Sequence, residues 1–130
     1  MARDVLPRHI QEFLDTFIDS VEQLRVLLLL YSDPQKLWTV AEITAELRSA
    51  ESSITKRLDD LYSRKVMVRL PELKGSHRFS PSTADIEVVV RDLAEQNQLR
   101  PYKVIDAIYS RPDKVLRDFA DAFKFRGDKG

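Results

Sequence analysis

The sequence predicts a mainly α-helical fold with one small β-hairpin. Three observations carry that expectation. Apolar residues recur at helical spacing along most of the chain. Ser and Thr stand three residues before Glu, Gln or an apolar residue where those stripes begin. The period changes once, at Val66-Met67-Val68-Arg69-Leu70, where β-branched residues alternate loosely and a turn-rich stretch follows.

The elements follow in order. Pro7 suits a first helical turn, where its missing N–H costs nothing. Ile10, Phe13, Leu14, Phe17 and Ile18 then form one stripe, ending near Asp19. Ser20-Val21-Glu22-Gln23 reads as a capping box, with the Ser20 hydroxyl accepting from the Gln23 N–H and the Gln23 side chain reaching back. The second helix places Val21, Leu24, Leu27, Leu28 and Tyr31 inward, and Ser32-Asp33-Pro34 stops it. Its run Val26-Leu27-Leu28-Leu29-Leu30 is too short for a bilayer, which needs about 20 apolar residues. A helix buried on most sides explains it, and no membrane partner is expected.

Lys36-Leu37-Trp38 resembles a short strand, with Trp38 packing under the hairpin. Thr39-Val40-Ala41-Glu42 is a second capping box, opening a short helix with Val40, Ile43, Leu47 and part of Ala45 inward. Arg48-Ser49-Ala50 is a turn. The next helix runs from Glu51 to about Arg64 on the stripe Ile54, Leu58, Leu61. Strands 66–70 and 77–80 flank a tip at 71–76, and Pro81 ends the hairpin. Ser82 or Thr83 caps a further helix with Ile86, Val89, Val90 and Leu93 inward. Pro101 interrupts it, Tyr102 to Tyr109 continues, and Ser110-Arg111-Pro112-Asp113 kinks or restarts the chain. Val115, Leu116, Phe119, Ala120 and Phe123 form the last stripe.

This order is a winged helix-turn-helix with extra N- and C-terminal helices. The expected organisation is an N-terminal helix at 1–19, a winged domain at 20–82, C-terminal helices at 83–126 and a frayed tail at 127–130.

Composition narrows the function. No cysteine is present, which excludes disulfides, thiolate metal sites and a cysteine nucleophile, and fits a cytoplasmic location. The start, MARDVLPRHI, lacks the apolar centre of a signal peptide. His9 and His77 are the only histidines, neither in metal-ligand spacing, so no metal or cofactor is expected. No glycine-rich phosphate loop or nucleophile elbow occurs, and the adjacent Asp59 and Asp60 diverge by about 100° on a helix. An enzyme is not expected.

The run from Ala41 to Leu61 resembles the helix-turn-helix of bacterial winged-helix transcription regulators such as the MarR and ArsR families. Ala41, Leu47, Ser49, Ile54, Leu58 and Leu61 fill the positions of that pattern, and 66–81 matches the wing. The likeness covers about half the chain. Ala50 departs from it where relatives carry a capping Ser, with Ser49 one residue early as substitute, and the wing has few basic residues and carries Glu72. The resemblance implies a homodimeric regulator that binds double-stranded DNA, with helix 51–64 in the major groove and the wing, 70–78, beside it. Ser52, Ser53, Thr55 and Lys56 are the candidates for bases and phosphates. Arg57 and Arg64 suit the backbone, and Lys74, His77 and Arg78 the flanking groove. It also implies dimerisation through the terminal helices, for which Phe13, Phe17, Val115, Leu116, Phe119 and Phe123 are the candidates.

Charge qualifies that expectation. Lys plus Arg and Asp plus Glu number 21 each, so the net charge is zero, unlike many nucleic-acid binders. Within 49–80, Lys56, Arg57, Arg64, Lys65, Arg69, Lys74 and Arg78 face Glu51, Asp59, Asp60 and Glu72, a local excess of three positive charges. Asp59 and Asp60 would be repelled by phosphate if they lie toward DNA. The alternative use of the same fold is a protein-interaction module or adaptor without DNA binding.

Overall fold

The computed structural model describes residues 5–70 and 75–110. Within them the order is α1 (Arg8–Phe17), α2 (Val21–Ser32), α3 (Val40–Leu47), α4 (Glu51–Ser63), β1 (Met67–Leu70), β2 (Ser76–Phe79), α5 (Ala84–Leu99) and α6 (Pro101–Tyr109). The predicted class is observed: helices with one two-stranded antiparallel hairpin. Lys74, Val115, Leu116, Phe119 and Phe123 lie outside the described residues, as do most of the expected wing tip and the tail 127–130.

The local signals behave as their chemistry requires. The Thr39 hydroxyl accepts from the Glu42 N–H at 3.1 Å, and the Glu42 carboxylate accepts from the Thr39 N–H at 2.9 Å, a complete capping box. The Thr39 N–H leads in holding the Glu42 carboxyl below the usual carboxylate range, with the Lys36 charge and the Thr39 hydroxyl adding to it. Thr83 rather than Ser82 caps α5, accepting from the Ile86 N–H at 3.2 Å. Pro101 sits at the first turn of α6, where Pro is harmless. Pro7 lies one position earlier than expected, as the N-cap of α1.

The box at Ser20 is only half formed. Ser20 accepts from the Gln23 N–H at 3.1 Å. The fully buried Gln23 side chain reaches past the N-cap, accepting from the Asp19 N–H at 2.7 Å and donating to the Phe17 carbonyl at 3.0 Å. It thereby satisfies backbone groups of the half-buried α1–α2 joint.

Two packing groups share one core. Helices α2, α3 and α4 pack on each other, with β1 against α4 and β2 against α2; α1, α5 and α6 form the second group. Ile54, Leu58 and Leu61 are buried as the stripe predicts. Around α2, Leu24, Val26, Leu27 and Leu30 are buried while Val21, Leu28, Leu29 and Tyr31 are partly covered, so the helix is enclosed on most sides. Ala45, by contrast, is exposed, because the eight-residue α3 buries only Ile43 fully.

The expected strand at 36–38 reduces to one two-way bridge. Trp38 donates to the His77 carbonyl at 2.8 Å and His77 donates to the Trp38 carbonyl at 2.7 Å. Trp38 is buried under the hairpin as expected, with the Lys36 ammonium 3.9 Å from its ring centroid.

Candidate nucleic-acid interface

The helix-turn-helix joint is made without glycine. Arg48 adopts the left-handed conformation (φ 54°), and the Ser49 N–H closes the end of α3 on the Thr44 carbonyl at 3.2 Å. The N-cap of α4 is Ala50, with no side-chain cap. Ser49 does not substitute as the cap; its hydroxyl lies near Glu22 and helps lower that carboxyl's pKa. Glu51 in the first turn favours the helix dipole.

The polar residues of α4 divide by face. Ser53 and Arg57 flank the apolar stripe and turn toward α2. The Ser53 hydroxyl and the Arg57 Nε, at 2.9 Å, both donate to one oxygen of Glu22. The Ser53 hydrogen bond leads in holding the Glu22 carboxyl below the usual range, with Arg57 and Ser49 adding to it against the opposing effect of burial. Arg64 binds the Phe17 carbonyl and pairs with Asp19 at 2.6 Å. Ser53, Arg57 and Arg64, expected to face DNA, are thus engaged within the chain. A polar stripe bordering a buried one lies at the helix–helix boundary, where it meets the first turn of α2 before it meets solvent.

Ser52, Thr55, Lys56 and Asp59 are exposed on the outer face. They offer two hydroxyls, one ammonium and one carboxylate over two turns. Asp59 is paired: Arg69, from β1, donates to it at 2.6 Å, with its guanidinium 4.4 Å from the Tyr62 ring centroid. Asp60 is half-buried. Hydroxyls and an ammonium in this arrangement suit phosphates and base edges.

In the hairpin, the register pairs Arg69 with His77 and Val68 with Arg78. Alternation puts Arg69 and His77 on one face and Arg78 on the other. His77 faces inward and is 5% exposed, its Nδ1 3.4 Å from the Trp38 carbonyl. It cannot reach a groove, and that expectation is corrected. Burial dominates in lowering its pKa below 6.5. Arg78 is half-buried and lines a depression of about 460 Å³ between the end of α2, β2 and the start of α5, beside Tyr31, Gln35, Glu87 and Arg91.

On the terminal helices, Phe13 is buried in its own chain and stacks on the half-buried Phe17 at 4.9 Å between centroids. Little of Phe13 is left for a second copy. Val88, Leu99, Tyr102 and Tyr109 of α5 and α6 are exposed. His9 joins α1 to α5 through Asp92 at 2.8 Å, the hydrogen bond that leads in lowering the Asp92 carboxyl's pKa. Among the described residues, no group of three or more His, Asp or Glu is placed to hold a metal ion, and no helix is long and apolar enough to cross a membrane.

Sequence reasoning missed Glu22, Asp19 and Arg69. Glu22 was read only as part of a helix start and Asp19 only as a helix end. Arg69 was counted as a charge of the wing with no partner on α4.

No protein-family model and no curated protein sequence matches the chain. Solved structures do. MepR of Staphylococcus aureus, a transcription regulator of the multidrug efflux pump MepA, superposes with a TM-score of 0.53 at 16% identity, over 93% of this chain and 87% of that one. A MepR variant bound to an oligodeoxyribonucleotide gives 0.54 at 14% identity, over 93% and 87%. The reduced form of MarR from Escherichia coli gives 0.50 at 20% identity, over 91% and 82%. At such identities the likeness speaks for architecture, and it extends past the helix-turn-helix to nearly the whole chain. The described residues have the winged-helix fold of the MarR-type transcription regulators.

Proposed function

We propose that the protein is a cytoplasmic, homodimeric regulator that binds double-stranded DNA with the outer face of α4. One observation carries this reading. Ser52, Thr55 and Lys56 stand exposed on the helix that follows the turn, on a scaffold shared with a protein whose variant is bound to an oligodeoxyribonucleotide. Lys56 supplies the charge-assisted contact, Ser52 and Thr55 the neutral ones. Among the described residues of the hairpin, Arg78 is the candidate left to meet flanking backbone. The exposed Leu99, Tyr102 and Tyr109 support dimerisation through the terminal helices, since large apolar side chains on neighbouring turns favour a covered face.

The test is a gel shift of the whole chain on a mixed-sequence duplex across a salt series. Binding should weaken steeply with salt, and Lys56→Glu should weaken it about tenfold or more. No complex at low salt rejects the DNA reading and leaves the fold to protein interaction. Light scattering at tens of micromolar should give the mass of two chains; the mass of one rejects the dimer.

A further inference from the structure

Two donors on successive turns of α4 converge on one atom. The Ser53 hydroxyl and the Arg57 Nε both donate to Oε1 of Glu22, which stands in the first turn of α2. Ser53 and Arg57 are four residues apart, so one lies above the other on the same side of α4. Ser49, in the turn before α4, lies near the same carboxylate. Ser52 and Lys56, the neighbours of Ser53 and Arg57 in the chain, are exposed on the outer face.

The buried stripe cannot by itself fix where that outer face points. Burial of Ile54, Leu58 and Leu61 holds α4 to the core, but the hydrophobic effect is non-directional and resists a roll about the helix axis weakly. Hydrogen bonds are directional and are lost within about 0.5 Å of their preferred length. With side-chain tips about 5 Å from the axis, a roll of about 20° moves Ser52, Thr55 and Lys56 by about 2 Å. That distance breaks a hydrogen bond to a base edge, whereas the attraction of a cation for phosphate falls off slowly.

We propose that Glu22 is a positioning residue for base reading: by holding Ser53 and Arg57 it fixes the rotation of α4, and so the register in which Ser52, Thr55 and Lys56 meet the base edges. This role rests on the DNA-binding reading above, and in it Glu22 touches no DNA. The same ion pair commits Arg57 to a carboxylate and withholds it from phosphate.

Two affinities separate this role from simpler ones, one for a preferred duplex and one for a scrambled duplex of the same composition. If Glu22 only repels phosphate, removing it tightens both. If it only stabilises the fold, removing it weakens both by one factor, through the folded fraction. If it positions α4, removing it weakens the preferred duplex alone, since base contacts carry the preference.

The experiment enriches a preferred duplex of about 30 base pairs from a random-sequence library on the full-length unaltered chain, then measures fluorescence anisotropy of that duplex and of its scramble at about 100 mM salt and neutral pH. Glu22→Ala is expected to lower the ratio of the two affinities about tenfold or more, the effect of one mismatched base pair. The scramble should bind at least as tightly as before, because Arg57 is freed. Glu22→Gln, whose amide oxygen still accepts from both donors, is expected to keep the ratio within about threefold. Ser53→Ala removes one donor and no charge, and decides the matter if Glu22→Ala does not fold; it is expected to lower the ratio about threefold or more. Glu95→Gln, on α5, is the charge control and should leave the ratio unchanged.

Equal weakening of both duplexes by Glu22→Ala overturns the proposal and leaves Glu22 a stabilising contact. Equal tightening overturns it too and leaves a repelling charge. A ratio unmoved by Ser53→Ala, or an unaltered chain that binds both duplexes alike, overturns it as well. Failure of the unaltered chain to bind any duplex is a different result: it removes the DNA reading, and this role with it.

Discussion

Helix α4 and the hairpin behind it carry most of the cations expected at the interface, and they use them differently. On α4 the half-buried arginines are spent on the chain itself. Arg57 goes to Glu22 and Arg64 to Asp19 and the Phe17 carbonyl, each spanning from the α1–α2 region. In the hairpin, Arg69 goes to Asp59, while His77, on the same face, is buried with its Nδ1 3.4 Å from the Trp38 carbonyl. The helix is thus held by polar clamps at both ends of an apolar stripe. The hairpin is held by apolar burial of Met67 and Phe79 and by the Trp38 bridge. A helix that presents side chains to a ligand needs its rotation fixed, and directional hydrogen bonds do that better than a greasy stripe alone.

Breaking the clamp should have the largest effect. Glu22→Ala leaves Ser53 and the half-buried Arg57 without their acceptor. The side chains of the ion pair are 25% and 22% exposed, between the surface and buried regimes. A loss of about 2 kcal/mol is expected, read by urea unfolding at neutral pH. A loss under about 0.5 kcal/mol would mean the clamp is ornamental and α4 rests on its stripe. The same carboxyl predicts a pH effect. Its pKa is lowered from an ordinary 4.5, led by the Ser53 hydrogen bond. Its contribution is full above about pH 4.5 and is lost as pH falls through the lower folded value. Glu22→Gln should remove that part of the acid limb.

The hairpin should respond to acid earlier and for the opposite reason. Burial of His77 lowers its pKa from 6.5, so the unfolded chain takes up a proton before the folded one does. The folded state is therefore favoured above about pH 6.5 and loses ground as pH falls toward the lower folded value, by at most about 1.4 kcal/mol per pH unit. His77→Gln is expected to lower stability at neutral pH and to flatten its change between pH 7 and 5. Parallel curves for the two proteins would show that His77 protonates as freely folded as unfolded.

What was legible in the sequence follows the range of each interaction. Thr39 and Thr83 were readable because a cap joins residues three apart, and Ile54, Leu58 and Leu61 because a stripe repeats within one helix. Gln23 was half readable: its reach to Asp19 and Phe17 depends on how α1 enters the joint. The partners of Arg57 and Arg64 were not readable, since 35 and 45 residues separate them from Glu22 and Asp19. A cation bordering an apolar stripe looks the same whether it faces solvent or a neighbouring helix. His77 failed similarly, because its inward face is set by the bridge to Trp38, 39 residues away. On α4, the candidates Ser52, Thr55 and Lys56 are exposed, while the Arg69–Asp59 pair required the packing of a strand on a helix.

The smallest effect lies at the joint between the two regions. Lys65 links α4 to β1 at φ 65°, a conformation that favours glycine. It closes the helix in a Schellman arrangement: the Lys65 N–H donates to the Tyr62 carbonyl at 3.0 Å and the Val66 N–H to Leu61 at 3.2 Å, with the Leu61 and Val66 side chains both buried. Left-handed backbone costs an L-residue about 1–2 kcal/mol, while glycine loses about 0.5–1 kcal/mol through the greater freedom of its unfolded chain. Lys65→Gly should therefore stabilise by about 0.5 kcal/mol, and Lys65→Ala, which keeps the Cβ, should not. Arg48→Gly should gain a similar amount at the end of α3, where the same conformation occurs. If Lys65→Gly stabilises and Arg48→Gly does not, the strain belongs to the helix–hairpin joint, and the two regions are coupled through it. Equal gains would show two independent helix ends, and leave the Arg69–Asp59 pair as the tie between helix and hairpin.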